Sequence, residues 1–140
     1  MPNALRIVLD TNVLYAGLYS RRGASHRILR GIEERWITPV LSTTLLFEYE
    51  DVLRREGRVL GLSKEEIDET LDGICLRGEA RTVYFLWRPQ LTDPKDDHIL
   101  ELAVASDTRT IVTHNTRHFG NADNFGVRAV TPKALLETLR

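Results

Sequence analysis

Residues 5–10 are LRIVLD, and the next two residues are Thr11 and Asn12. A continuous apolar run of this length is typical of a strand that is buried on both faces in a parallel sheet. Asp10 ends the run, and ligands of parallel α/β proteins bind just outside the carboxyl ends of the strands. Asp10 is therefore a candidate catalytic or metal-binding residue, although an Asp at such a place is about as often a turn former or a helix N-cap.

Short apolar runs alternate with amphipathic segments along the rest of the chain. The further predicted strands are residues 36–42 (WITPVLS), 81–86 (RTVYFL, alternatively an edge strand), 109–114 (RTIVTH) and 127–132 (VRAVTP). The predicted helices are residues 12–19, 24–34, 43–55, 64–78 and 94–106, with a last helix from Pro132. Ser63, Asp93 and Thr131 occupy N-cap positions. Strands alternating with helices predict an α/β sheet that is covered on both faces.

The composition is typical of one globular domain that covers residues 1–140, with 42% apolar and 28% charged residues. A formal net charge of -1 excludes a strongly basic nucleic-acid binder, so any such contact must come from local patches. The single cysteine, Cys75, excludes an intrachain disulfide and a structural zinc site, and we expect it in the core. With neither a signal peptide nor an apolar run near the ~20 residues that span a bilayer, we expect a soluble cytoplasmic protein.

Helical periodicity places Asp96 on the buried face of the 94–106 helix. The apolar face of that helix consists of Ile99, Leu100 and Ala103. Asp96 lies three, four and seven positions before these residues, whereas Asp97 and Glu101 are expected to point toward solvent. A buried acid at a helix start needs a metal ion, a donor or the helix dipole to favour its charge. The alternative is a capping box between Asp96 and Asp93.

Glu48 is a weaker candidate, since both Glu48 and Glu50 flank the apolar face of the 43–55 helix. Glu48 lies nearer the helix start, and so nearer the carboxyl ends of the strands, which favours it over a solvated flank position. The strand at residues 109–114 ends in Thr113 and His114 and is followed by Asn115, at the edge of the sheet expected for Asp10. Asn115 is alternatively a turn former.

These segments together resemble the PIN-domain family of metal-dependent nucleases over nearly the whole chain. Within that family the similarity is to the toxins of bacterial and archaeal toxin-antitoxin pairs. The resemblance rests on Asp10-Thr11-Asn12 after the first strand, Ser42 ahead of the helix that carries Glu48, residues 93–97 (DPKDD) leading into residues 99–103 (ILELA), and residues 112–115 (VTHN).

The resemblance implies a three-layer α/β/α sandwich with a central, mainly parallel five-stranded sheet. It also implies an endoribonuclease that hydrolyses RNA phosphodiester bonds with Mg²⁺ or Mn²⁺, forms a homodimer and is inhibited by a cognate antitoxin protein. The metal-binding catalytic acids of the family fall on Asp10, Glu48 and Asp96. Many members have a fourth Asp where this chain has Asn115, and some have a further acid where it has Arg117 or His118, which leaves a second metal open.

The residue types suit this chemistry in their own right. Mg²⁺ prefers hard oxygen ligands, and a bound metal can lower the pKa of a water that attacks a phosphodiester. We therefore expect Asp10 and Asp96 to be direct ligands and Glu48 to be a ligand or a water-orienting residue. The residues expected to fix carboxylate rotamers or to contact the scissile phosphate are Thr11, Asn12, Thr113 and Asn115.

Basic side chains would contact the RNA backbone. The candidates are Arg21, Arg22, Arg27, Lys95, Arg117, His114 and His118. Phosphate contacts carry no sequence information, so they do not identify the RNA. Trp36, Trp87 and Tyr84 are expected to be core residues and not base-stacking platforms.

Three other functions fit parts of the pattern. A receiver-type signalling domain also has an Asp at a strand end, and Lys133 fits one, but such a domain needs an acidic pair after its first strand. A haloacid-type phosphatase needs a second Asp where Asn12 stands. A PIN-like module that binds RNA or a partner without cutting also remains open.

Overall fold

The computed structural model describes residues 4–83 and 96–139, and its framework is a five-stranded parallel sheet. The strands are β1 (Leu5–Leu9), β2 (Ile37–Leu41), β3 (Glu79–Ala80), β4 (Thr110–Val112) and β5 (Arg128–Val130). The α-helices are α1 (Thr11–Tyr19), α2 (Ala24–Glu33), α3 (Thr43–Arg55), α4 (Gly57–Leu60), α5 (Lys64–Arg77), α6 (Asp97–Ala105) and α7 (Pro132–Thr138). Two 3₁₀ turns, Thr116–Phe119 and Ala122–Phe125, lie between β4 and β5. The three-layer α/β/α architecture with a five-stranded sheet is confirmed.

The strand order β3-β2-β1-β4-β5 determines where a site can form. From β1 the chain moves outward to β2 and β3, whereas from β4 it moves in the opposite direction to β5. Helices α2 and α5 pack against β2, while α6 packs against β1, β2 and β4. The carboxyl ends of β1 and β4 therefore flank the point at which the direction reverses, where open α/β sheets bind ligands. The receiver-type alternative is wrong, because receivers have the flavodoxin-like order 2-1-3-4-5.

The central strand β1 is buried as its sequence predicts. Ile7, Val8 and Leu9 are at most 1% exposed, and they pack within the main apolar core. Arg6 is the polar exception within β1. Its guanidinium donates to both carboxylate oxygens of Glu79, at 3.0 and 2.7 Å, and so joins the central strand to β3 at the sheet edge.

The predicted position of the third strand is wrong, because the strand lies earlier in the sequence than predicted. The prediction was residues 81–86, but β3 is Glu79–Ala80, which pairs with Val40 and Leu41 of β2. Residues 81–83 lie outside any strand, and residues 84–86 lie outside the described part of the chain. Strand propensity favoured the β-branched and aromatic run, whereas the strand that forms is the one that pairs with β2, and the Arg6–Glu79 ion pair also contacts it from a distant segment.

The helix starts follow their capping residues. Ser63 accepts a hydrogen bond from the Glu66 N–H, and the Glu66 side chain accepts one from the Ser63 N–H, which confirms a capping box at α5. Thr131 is the N-cap of α7, as predicted, and its side chain accepts a hydrogen bond from the Ala134 N–H. Helix α6 begins at Asp97, later than predicted, and the proposed Asp93 cap lies outside the described residues. Within residues 4–83 and 96–139, no helix is long and apolar enough to span a membrane.

The prediction that Cys75 is a core residue is wrong, because the side chain is exposed on α5. The buried face of this helix contains Ile67, Leu71 and Ile74. Cys75 follows Ile74 by one position, and each helical residue turns by roughly 100°, so Cys75 points away from that face.

Candidate active site

Asp10 lies at the carboxyl end of β1 and is only 6% exposed. It occupies the N-cap position of α1, but its side chain makes no capping hydrogen bond. Its carboxylate instead accepts a hydrogen bond from the hydroxyl of Thr113, which is fully buried just after β4, at 2.7 Å. The Asp10 N–H also donates to the Val112 carbonyl at 2.9 Å. Backbone and side chain together hold this carboxylate at the reversal point of the sheet.

Burial raises the pKa of Asp10 to about 6. The hydrogen bond from Thr113 opposes this shift, whereas repulsion by the nearby carboxylates of Asp96 and Glu48 adds to it. Two acids from separate elements therefore act on the Asp10 carboxylate at this place. Such mutual repulsion is what a bound cation would relieve.

Glu48 lies on α3, and both of its carboxylate oxygens have donors or partners from other helices. The Thr11 hydroxyl donates to Oε2, and the His98 Nε2 lies 3.2 Å from Oε1. Burial disfavours the charge, but the hydrogen bonds from His98 and Thr11 outweigh it and lower the pKa of Glu48. Glu50 instead pairs with Arg54 at 2.8 Å. The structure thus places Glu48, and not Glu50, beside α1 and α6.

Two residues at this place were missed from the sequence: His98 and Tyr49. Tyr49 is fully buried, and its hydroxyl donates to the Leu9 carbonyl. Tyr49 follows Glu48, and Leu9 precedes Asp10, so this bond ties together the two peptides that carry the acids. A buried tyrosine needs a partner for its hydroxyl, which was the available signal. His98 gave no such signal, because its partner lies 50 residues away in sequence.

Asp96 immediately precedes α6, and its side chain is 19% exposed. Its Oδ2 lies 3.3 Å from Nδ1 of His118, on the 3₁₀ turn Thr116–Phe119. No capping hydrogen bond is formed by its side chain. Asp96 therefore acts electrostatically on Asp10 and is in direct contact with a histidine.

The expectation that Asp97 and Glu101 point to solvent is wrong. They are 1% and 2% exposed, and neither is without an interaction partner. Helical periodicity assumes one buried stripe, but α6 packs against the sheet and also against α3, so more than one of its faces is covered. The face analysis therefore does not by itself distinguish Asp96 from Asp97.

The other polar candidates surround Asp10. The Asn12 side-chain oxygen accepts the His114 N–H at 3.3 Å, and His114 Nε2 lies 3.1 Å from the buried Ser25 hydroxyl. Asn115 is exposed at the start of a 3₁₀ turn, and its N–H donates to the Thr113 hydroxyl oxygen at 3.0 Å. Asn115 therefore has the local geometry of a turn former. It also lies beside Thr113, which donates a hydrogen bond to Asp10.

The basic candidates are less closely placed. Arg21, Arg22, Arg27 and Arg117 are all exposed, and Lys95 lies outside the described residues. Arg21 and Arg22 lie between α1 and α2, and Arg117 lies on the first 3₁₀ turn. Among the aromatic residues, Trp36 packs against the core as predicted, whereas Tyr84 and Trp87 lie outside the described residues.

The donor types at this site fit a hard divalent cation. Asp10, Glu48 and Asp96 offer carboxylate oxygens, and the repulsion that the other two exert on Asp10 favours a positive charge beside it. In the part of the chain that the structure describes, however, no three His, Cys, Asp or Glu side chains are grouped closely enough to hold one ion. Glu48 and Asp96 instead contact His98 and His118.

A family model described as PIN domain matches residues 6–117. This range includes β1 with Asp10, the Glu48 helix, Asp96 and the end of β4, so the matched segment contains all three acids. No curated protein matches the chain. With four fifths of its length matched by this model, the chain belongs to the PIN domain family, whose fold is of nuclease type.

Proposed function

We propose that the chain is a Mg²⁺- or Mn²⁺-dependent endoribonuclease that hydrolyses RNA phosphodiester bonds. The observation that carries the proposal is the buried carboxylate of Asp10 at the reversal point of the sheet, on which the carboxylates of Glu48 and Asp96 act by repulsion. Membership of the PIN domain family supports the nuclease class and RNA as the ligand class.

Asp10 and Asp96 would hold the metal, and Glu48 would either ligate it or orient a water. When bound, the ion would lower the pKa of a water and neutralise charge that develops on the phosphate. Thr113 keeps the Asp10 carboxylate in one rotamer, and Thr11 does the same for Glu48. Asp10 is ionised above about pH 6, so its oxygens are available as ligands at neutral pH.

A cleavage assay on a mixed RNA pool tests this proposal. We expect fragments with Mg²⁺ or Mn²⁺ and intact RNA with EDTA, and mapping of the fragment ends would identify the cleaved sites. Glu50→Gln is expected to cleave RNA like the wild type, since Glu50 lies on the same helix as Glu48 but pairs with Arg54. EDTA-resistant cleavage would contradict the metal mechanism.

The second candidate function is binding of RNA without cleavage. It is favoured by the absence, within the described residues, of three side chains grouped for one ion. An RNA mobility shift that persists with Mn²⁺, without any cleavage by the wild-type protein, would support this function over the nuclease.

We further propose that the protein is the toxin of a toxin-antitoxin pair in the cytoplasm, a homodimer inhibited by a cognate antitoxin protein. Support comes from the resemblance of the motifs around Asp10 and Asp96 and from a cavity of about 580 Å³ between α1, α2 and α5. Its apolar lining includes Leu14, Leu18 and Leu29. An antitoxin segment would fill such a groove and direct a basic side chain toward the acids.

Expression of the protein alone is expected to arrest growth and to degrade cellular RNA. Asp10→Asn, expressed at the same level, should permit normal growth, because the acid cluster loses one of its carboxylates. Growth curves and total RNA gels measure both effects. Normal growth and intact RNA with a wild-type protein that cleaves strongly in vitro would contradict the toxin role but not the enzyme.

Asn115→Asp is expected to lower the metal concentration that half-saturates cleavage. An added carboxylate beside Thr113 and Asp10 strengthens attraction to a divalent ion in a partly desolvated cleft. A titration of cleavage rate and of thermal stabilisation with Mg²⁺ measures the change, and saturating Mn²⁺ should reduce it. If the half-saturating metal concentration does not change, Asn115 does not face the metal and acts only as a turn former at the start of the 3₁₀ turn.

A further inference from the structure

His98 is a buried histidine whose two ring nitrogens have different surroundings. Its side chain is 11% exposed, and Nε2 lies 3.2 Å from Oε1 of Glu48. Nδ1 is fully buried, and among residues 4–83 and 96–139 it has no hydrogen-bond partner. In a neutral imidazole one nitrogen donates and the other accepts.

These surroundings indicate which ring nitrogen of neutral His98 carries the proton. A proton on Nδ1 would be a buried donor with no acceptor in the described structure, and such a donor is costly. A proton on Nε2 points at a carboxylate oxygen of Glu48. The Nε2–H form is therefore the one in which His98 donates to Glu48.

The other oxygen of Glu48 accepts from the Thr11 hydroxyl. Thr11 of α1 therefore holds one oxygen of this carboxylate, and His98 of α6 holds the other. Asp10 directly precedes α1, and Asp96 directly precedes α6. We propose that His98, in its Nε2–H form, is a positioning residue that fixes the Glu48 carboxylate together with Thr11. This inference rests on the proposed nuclease function, in which Glu48 works only in one orientation.

A matched pair of substitutions separates positioning from packing. The amide nitrogen of Gln can take the place of Nε2, whereas that of Asn lies near the place of Nδ1. We expect His98→Asn to raise the half-saturating Mn²⁺ concentration about 10-fold, with the KM for RNA unchanged. His98→Gln should stay within about threefold of the wild-type value.

Three measurements are made on each variant: thermal melting without metal, Mn²⁺-induced thermal stabilisation, and Mn²⁺-dependent cleavage. If His98 only fills space, Gln and Asn variants would change the metal response equally, and this result would overturn the proposal. A weaker response to Mn²⁺ in His98→Asn, restored in His98→Gln at matched melting temperature, is the result expected.

The tautomer itself can be measured by imidazole ¹⁵N NMR on the wild-type protein without RNA or metal, near neutral pH. We expect the proton on Nε2, and a proton on Nδ1 would overturn the proposal. Because the NMR and thermal measurements use no RNA, they give their result even if the protein cleaves no RNA. Failure of the nuclease proposal and failure of the positioning proposal are therefore distinguishable.

Discussion

Asp10→Asn is expected to abolish metal-dependent RNA cleavage and, at neutral pH, to make the metal-free protein more stable. The variant keeps an oxygen that can accept the Thr113 hydrogen bond, but it loses the charge that attracts a cation. Removal of a group that only supports a metal site typically costs 10–100-fold, so loss of a proposed ligand should cost more than about 100-fold. Initial cleavage rates with Mg²⁺ and Mn²⁺ measure this loss.

The gain in stability follows from the raised pKa of Asp10, about 6 in the folded protein against an ordinary value of 3.8. Because the folded pKa is the higher one, protonated Asp10 stabilises the fold. That contribution is fully present below about pH 4 and is lost as the pH rises through about 6. Two pKa units correspond to at most about 3 kcal/mol. We expect Asp10→Asn to recover roughly 1–3 kcal/mol at neutral pH, with a Tm higher by roughly 3–10 °C.

Thermal melting with EDTA at a series of pH values measures this gain. The difference between variant and wild type should shrink toward zero only below the ordinary pKa of 3.8, where Asp10 is protonated in both the folded and the unfolded wild-type chain. Asp51→Asn is the matched control, because Asp51 is an exposed acid whose partner is Arg55 on the same helix. A Tm difference that does not vary with pH would mean that folding does not raise the pKa of Asp10.

The sequence predicted the parts of the fold that depend on local pattern. The buried run of β1 and the capping box at Ser63 and Glu66 each follow from a few neighbouring residues. The edge strand β3 could not be found in this way, since Glu79 and Ala80 have little preference for a strand. They pair with Val40 and Leu41 of β2, and Glu79 contacts Arg6, 73 residues earlier in the chain.

The same division holds in the candidate site. Asp10 and Thr113 follow apolar strands, so their proximity could be predicted from the rule for strand ends, and their hydrogen bond agrees with it. His98 could not be identified, because its pairing with Glu48 arises from the packing of α6 against α3. The burial of Asp97 has a related cause. The periodicity of a helix shows which of its faces is apolar, but it does not show which other face a second helix covers.

Asp96→Asn is expected to lose RNA cleavage, whereas Asp97→Asn is expected to lose stability. Asp96 is partly exposed, contacts His118 and lies within the field of Asp10, so its loss should abolish cleavage. Asn is uncharged but keeps a side-chain oxygen that can still contact His118, so the stability should change by less than about 1 kcal/mol. Asp97 is 1% exposed in the first turn of α6 and has an interaction partner, and the loss of a buried charge with a partner costs roughly 1–3 kcal/mol.

Melting curves with EDTA and cleavage rates taken well below each Tm separate these effects. Asp97→Asn should melt roughly 3–10 °C below the wild type and retain cleavage within about 10-fold, because its damage lies in the packing of α6. Asp96→Asn should melt close to the wild type and show no metal-dependent cleavage. An Asp97→Asn protein with unchanged Tm and no cleavage would move the catalytic acid to Asp97. Since both acids lie at the start of α6, the stability measurement is what assigns the role.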